Sequence, residues 1–150
     1  MYLSRDYSAA ESALRKSIAL NPEIDGSYLY LGFIQLLRNQ PEAALKEFAL
    51  DPELASKDTG IALVSHAVGK QAESDLALAR VVDAAGNIWA YGVAEIHAYR
   101  GERDQAFTWL QRSRDARDGD LQFLYFDPFF VPLHDDPRWS ALLQSMNLKN

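Results

Sequence analysis

The chain has 150 residues, 48% apolar and 24% charged, so it is long enough to bury a core without staples and too apolar to be disordered. A net charge of −6 and a pI near 5.0 argue against a nucleic-acid partner, which needs a basic face. The absence of cysteine removes disulfides and cysteine zinc sites; it fits the cytoplasm, the expected location, and fits the periplasm as well.

Residues 1–20 lack a basic start followed by an apolar run, so they do not read as a signal peptide. Residues 7–20 place Ala10, Leu14, Ser17 and Ile18 on one stripe at helical spacing, and Asn21-Pro22 ends the run. A second helix is predicted over 26–38, with Leu31, Ile34 and Leu37 apolar. A third, 41–50, starts at Gln40-Pro41 and stops at Asp51-Pro52. The fourth, 55–68, closes at Gly69, and the fifth covers 71–84. Asn87 is the expected cap of the sixth, 88–100, which ends at Gly101; the seventh spans 103–116. No segment alternates with period two, so no strand is expected. The longest apolar-rich run, 28–37, is far short of the roughly 20 residues that cross a bilayer, so no membrane insertion is expected.

These helices repeat. Ala10, Ala44, Ser74 and Ala106 are small and stand 34, 30 and 32 residues apart, and four positions after each comes Leu14, Phe48, Leu78 or Leu110. Turns precede three of them, at Asn39-Gln40-Pro41, Gly69-Lys70 and Gly101-Glu102. A small-then-large pair at a period of roughly 30–40 residues is the pattern of stacked helical hairpins. The first unit lacks its leading helix, which leaves an edge where a second copy of the chain would fit. The tail, 118–150, departs from the repeat: aromatics crowd 123–130, Pro128 and Pro132 interrupt them, and Asp136-Pro137 opens a last helix with Trp139, Leu142, Leu143 and Met146 on one face. That tail is expected to fold back over the last hairpin.

The repeat resembles the tetratricopeptide repeat, with Leu-Gly early, Ala-x3-Phe later and a closing proline. Tyr28-x-x-Leu31-Gly32, Ala44-x3-Phe48 and Asp51-Pro52 match it best; Ala10-x3-Leu14 with Asn21-Pro22 is the second half of the unit before. Ile61-Ala62 with Ser74-x3-Leu78, and Val93-Ala94 with Ala106-x3-Leu110, follow more loosely. Asp58 and Ala90 replace the usual early aromatic. The tail is similar to the chain end of bacterial multidomain regulators in which such an array follows a winged helix, a nucleotide cyclase or a protein kinase. The resemblance implies an all-α fold, a right-handed superhelix of antiparallel hairpins over 1–117 with a capping segment over 118–150. It implies a non-catalytic protein-interaction module, the C-terminal part of a larger bacterial regulatory protein. The second reading is a small-ligand or peptide sensor acting on an effector domain elsewhere.

Searches for chemistry fail one by one. Gly69-Lys70 is not a P-loop, because the earlier glycine is Val64 and the next residue is Gln71. Asp118-Gly119-Asp120 would make Arg114 the first ligand of a calcium loop. Asp135-Asp136 pairs two carboxylates, but Asp136 reads as a helix cap. His66 and His97, with Glu95 as third ligand, are a weak zinc set, and His134 has no partner in sequence. The five arginines over 100–117 are interleaved with Glu102, Asp104 and Asp115 and read as a self-neutralising face. No catalytic residue, metal ligand or cofactor is assigned.

The family lines its inner groove with the first helix of each hairpin. Carried over, that face is Leu29, Phe33 and Leu36, then Thr59, Leu63 and His66, then Tyr91, Glu95 and Tyr99. The Lys, Arg and Asn that clamp a C-terminal carboxylate in some members are absent. The expected partner is a protein or peptide with an apolar or aromatic segment, gripped by Phe33, Tyr91 and Tyr99 and favoured by a basic residue opposite Glu95.

Overall fold

Proline and glycine set the helix boundaries, and the helices start and stop close to where those residues stand. The computed structural model describes residues 7–22 and 26–147, and no side chains at 85–87. Among the described residues it holds α-helices and 3-10 segments and no strand: α1 (Tyr7–Leu20), α2 (Ser27–Leu37), α3 (Pro41–Leu50), α4 (Leu54–Ala67), α5 (Gln71–Ala85), α6 (Ala90–Tyr99), α7 (Arg103–Asp115) and α8 (Pro137–Ser145). The chain divides into two compact units, Met1–Ala84 and Ala85–Asn150. The second unit holds α6, α7 and the tail.

Three hairpin turns use one hydrogen-bond scheme. Asn39, Gly69 and Gly101 adopt left-handed φ values of 59°, 78° and 76°. The next amide then reaches back: Gln40 N–H to the Gln35 carbonyl at 2.9 Å, Lys70 to Ser65 at 2.7 Å, and Glu102 to His97 at 2.9 Å. This closure satisfies carbonyls that the helix end would leave unpaired. The same three residues accept from Ala44, Ser74 and Ala106 at 3.0, 3.1 and 3.0 Å, so each second helix leaves its turn at the same phase. The small residues consequently lie at the helix crossing, all fully buried, and the Ser74 hydroxyl donates to the Ala62 carbonyl at 2.6 Å.

In the first unit Phe48 is the main wedge. A Cβ on Gly32 would stand 2.4 Å from Phe48 Cε1, and one on Gly60 would stand 2.2 Å from Phe48 Cγ. Only glycine lets α2 and α4 approach that ring. Asp51, read from sequence as a helix stop, is fully buried and ties two elements together. One carboxylate oxygen accepts from Glu53 N–H and the other from Leu29 N–H in the first turn of α2, each at 3.0 Å. Asp58 is buried and held by Arg80 at 2.6 Å. Arg38 meets Glu11 at 2.6 Å, fastening α2 to α1.

In the second unit the start of α6 differs from expectation. Residues Gly86–Trp89 form a 3-10 turn, and α6 begins at Ala90 with Trp89 at its N-cap and no side-chain cap. The side chain of Asn87, the expected cap, lies outside the described residues. Trp89 folds back across Gly92, where a Cβ would stand 2.2 Å from its indole nitrogen. The tail runs through 3-10 segments at Gly119–Phe123 and Pro128–Leu133 and ends in α8. Asp136 caps α8 by accepting from Arg138 N–H at 3.0 Å, as its Asp-Pro signature predicts. Trp139, Leu142 and Leu143 are buried beneath α8, and Met146 is half-buried. Arg138 secures α8 to α7, reaching Asp104 at 2.7 Å and lying over the Phe107 ring.

Candidate functional site

Most of the residues expected to line a groove are buried. On α2, Leu29, Phe33 and Leu36 are buried, with Phe33 edge-on to Phe48 at a ring separation of 5.8 Å. Eight of the 11 residues of α2 are buried, so it is a core helix and not one wall of a cleft. On α4, Thr59 and Leu63 are fully buried, and the Thr59 hydroxyl has no hydrogen-bond partner among the described residues. His66 is half-buried, with Nδ1 3.2 Å from Gln71 Oε1. These residues therefore build the core of their unit.

Tyr91, Glu95 and Tyr99 do form one stripe on α6, and the chain's own tail lies on it. The Tyr91 hydroxyl donates to Asp127 Oδ2 at 2.9 Å, and its ring meets Phe130 edge-on at 5.3 Å. Tyr99 meets Phe129 in the same way at 5.7 Å. Asp127 Oδ1 accepts from Phe129 N–H at 2.9 Å, and Glu95 hydrogen-bonds to the same carboxylate. Burial, followed by the charge of Asp127, pushes Glu95 well above the usual carboxylate range. Asp127 is also raised by burial, offset by hydrogen bonds from Glu95, Phe129 and Tyr91. Glu95 therefore holds its proton to higher pH than an exposed glutamate. Expected from sequence to face a basic ligand, it is buried and hydrogen-bonded to Asp127.

Sequence reasoning missed Asp127, although a signal was present. Asp51, Asp127 and Asp136 each precede proline and accept the amide two residues on. Only at Asp136 was that motif read as a cap. At Asp51 and Asp127 the second carboxylate oxygen crosses to another helix, which local sequence does not reveal.

The remaining candidates have structural partners. His97 is buried and bonded through Nδ1 to Glu102 at 2.5 Å, and burial pulls it below the ordinary histidine value. Arg100 completes that cluster on the other Glu102 oxygen at 2.8 Å. Asp135 pairs with Arg103 at 2.9 Å, and Arg138 holds Asp136 down to about 2. His134 stacks on Trp139 at 4.4 Å. Among the described residues no group of three or more His, Asp or Glu is placed to hold a metal ion, and no helix is long and apolar enough to cross a membrane.

An open cleft lies elsewhere, in the first unit. Glu42 and Leu45 of α3, Ile61, Val64, Ser65 and Val68 toward the end of α4, and Lys70 and Glu73 at the start of α5 line about 560 Å³. Leu45 and Val68 are 42% and 45% exposed, so apolar surface is open within the cleft. Lys70 and Glu73 form an ion pair at 3.5 Å on the rim. The α4 stripe 61, 64, 68 follows helical spacing, so the floor is continuous. No family model, curated protein or solved structure matches this chain.

Proposed function

We propose that the chain is a non-catalytic protein-interaction module of tetratricopeptide-like build, and that it docks its partner in the aliphatic cleft between α3, α4 and α5. One observation carries this reading: the part-exposed Leu45 and Val68 line a cleft together with Ile61 and Val64, with Glu42, Ser65, Lys70 and Glu73 as its polar members. Apolar surface kept in water at a concave site is the usual mark of a recognition surface. The repeated turn scheme at Asn39, Gly69 and Gly101 supports the tetratricopeptide-like reading. The tail signature supports placing the chain as the partner-recognising C-terminal part of a larger bacterial regulatory protein.

The test is selection of binders from a random peptide display library, followed by amide shift mapping on the purified chain. Shifts centred on Leu45, Ile61, Val64 and Val68, and loss of binding in Leu45→Gln, are expected. Binders that map to α6 and the tail, or a library that yields none, would overturn the assignment.

A further inference from the structure

We infer that the occupant of the aliphatic cleft is an amphipathic segment carrying aliphatic side chains beside a lysine or arginine; the inference rests on the cleft being the docking surface. The floor settles the apolar half. Ile61, Val64 and Val68 come from one helix face and Leu45 from its neighbour, with no aromatic among the lining residues. Such a floor rewards aliphatic side chains and offers nothing to stack a ring on.

The charge comes from the rim. Glu42 and Glu73 stand there with Lys70 as the single lining cation. Lys70 is engaged with Glu73 at 3.5 Å. Glu42 is exposed, in the first turn of α3, and has no ion-pair or hydrogen-bond partner among the described residues. The rim thus holds one surplus carboxylate beside apolar surface. A cation on the ligand gains from that carboxylate, and an anion loses to it. The same rim disfavours an acidic segment, which supplies selectivity without a dedicated hydrogen-bond donor.

The experiment uses synthetic peptides of one amphipathic design, with two leucines one helical turn apart and beside them a lysine, a glutamine or a glutamate. Calorimetry on the full chain reads their affinities. The lysine peptide is expected to bind roughly threefold tighter than the glutamine peptide, the scale of one exposed ion pair, and the glutamate peptide weaker than both. Raising salt shrinks the preference, and Glu42→Gln removes it. Equal affinities, a preference for glutamate, or a lysine preference that survives Glu42→Gln overturns the basic partner and leaves the cleft standing. Binding that is indifferent to Leu45→Gln and Val68→Ser, or no binding by any peptide, overturns the docking surface itself. A chain that dimerises alone and becomes monomeric with Leu45→Gln puts a second copy in the cleft and overturns the inference too. Glu42, Leu45 and Val68 are exposed, so melting curves of the variants are expected to match the parent.

Discussion

Gly60→Ala is expected to destabilise the first unit, although alanine is the better helix former. The new Cβ would lie 2.2 Å from Phe48 Cγ, 2.4 Å from its Cβ and 2.5 Å from Cδ2. Carbon atoms in good contact stand about 3.5–4.0 Å apart, so the overlap exceeds an ångström at three atoms. Those atoms are the root of the phenylalanine, which moves only if the α3 backbone moves. Overpacking of this kind costs about 1–3 kcal/mol, and the upper end applies here. Helix propensity returns about 1 kcal/mol, leaving a net loss of roughly 2 kcal/mol. Phe48→Ala alone costs about 3–5 kcal/mol because the ring is fully buried. In that background the contacts with Cγ and Cδ2 are gone while the 2.4 Å contact with the Cβ of residue 48 remains, so Gly60→Ala costs less than in the parent. The two changes therefore couple by about 1 kcal/mol, within the range for touching residues. Urea unfolding of the four proteins, followed by far-UV circular dichroism, measures the cycle. The tryptophans Trp89, Trp109 and Trp139 all lie in 85–150, so their fluorescence reports the second unit and dichroism carries the test. A Gly60→Ala midpoint above the parent, or equal effects in both backgrounds, would refute the wedge.

Glu95→Gln is expected to gain stability over the parent as pH rises. The folded pKa is raised, so the contribution of Glu95 is complete below the unfolded value near 4.5 and is lost as pH climbs toward the folded value. The slope in that window approaches about 1.4 kcal/mol per pH unit for one proton. Parallel fluorescence midpoints for the two proteins from acid to alkali would refute the buried, protonated glutamate. Asp51→Ala leaves the Leu29 N–H buried without an acceptor and is expected to cost about 1–3 kcal/mol, with Asp51→Asn costing less; urea midpoints decide. Deleting the tail from Asp120 strips the cover from Tyr91, Tyr99 and Phe107, and the product is expected to aggregate or to bind an apolar dye. A truncated chain that stays monomeric and equally stable would contradict the packing.

Sequence alone determined the local facts. Asn21-Pro22, Gln40-Pro41, Asp51-Pro52, Gly69 and Gly101 mark helix ends because proline lacks an amide and glycine tolerates a left-handed φ, and neither effect needs a distant partner. The recurrence of Ala44, Ser74 and Ala106 was legible for a similar reason: a close crossing admits only small side chains, wherever the neighbouring helix comes from. Periodicity also put Tyr91, Glu95 and Tyr99 on one stripe of α6. What covers that stripe was decided by tertiary structure, because periodicity shows that a face is buried and never by what. Asp127 reaches Tyr91 across 36 residues, and burial together with its charge raises the Glu95 carboxyl. The same holds for α2 and α4, whose expected groove residues became core, and for the cleft at Leu45 and Val68. Those two side chains stand in water because the neighbouring helices leave a concavity between them, a gap in packing that no spacing along the chain encodes.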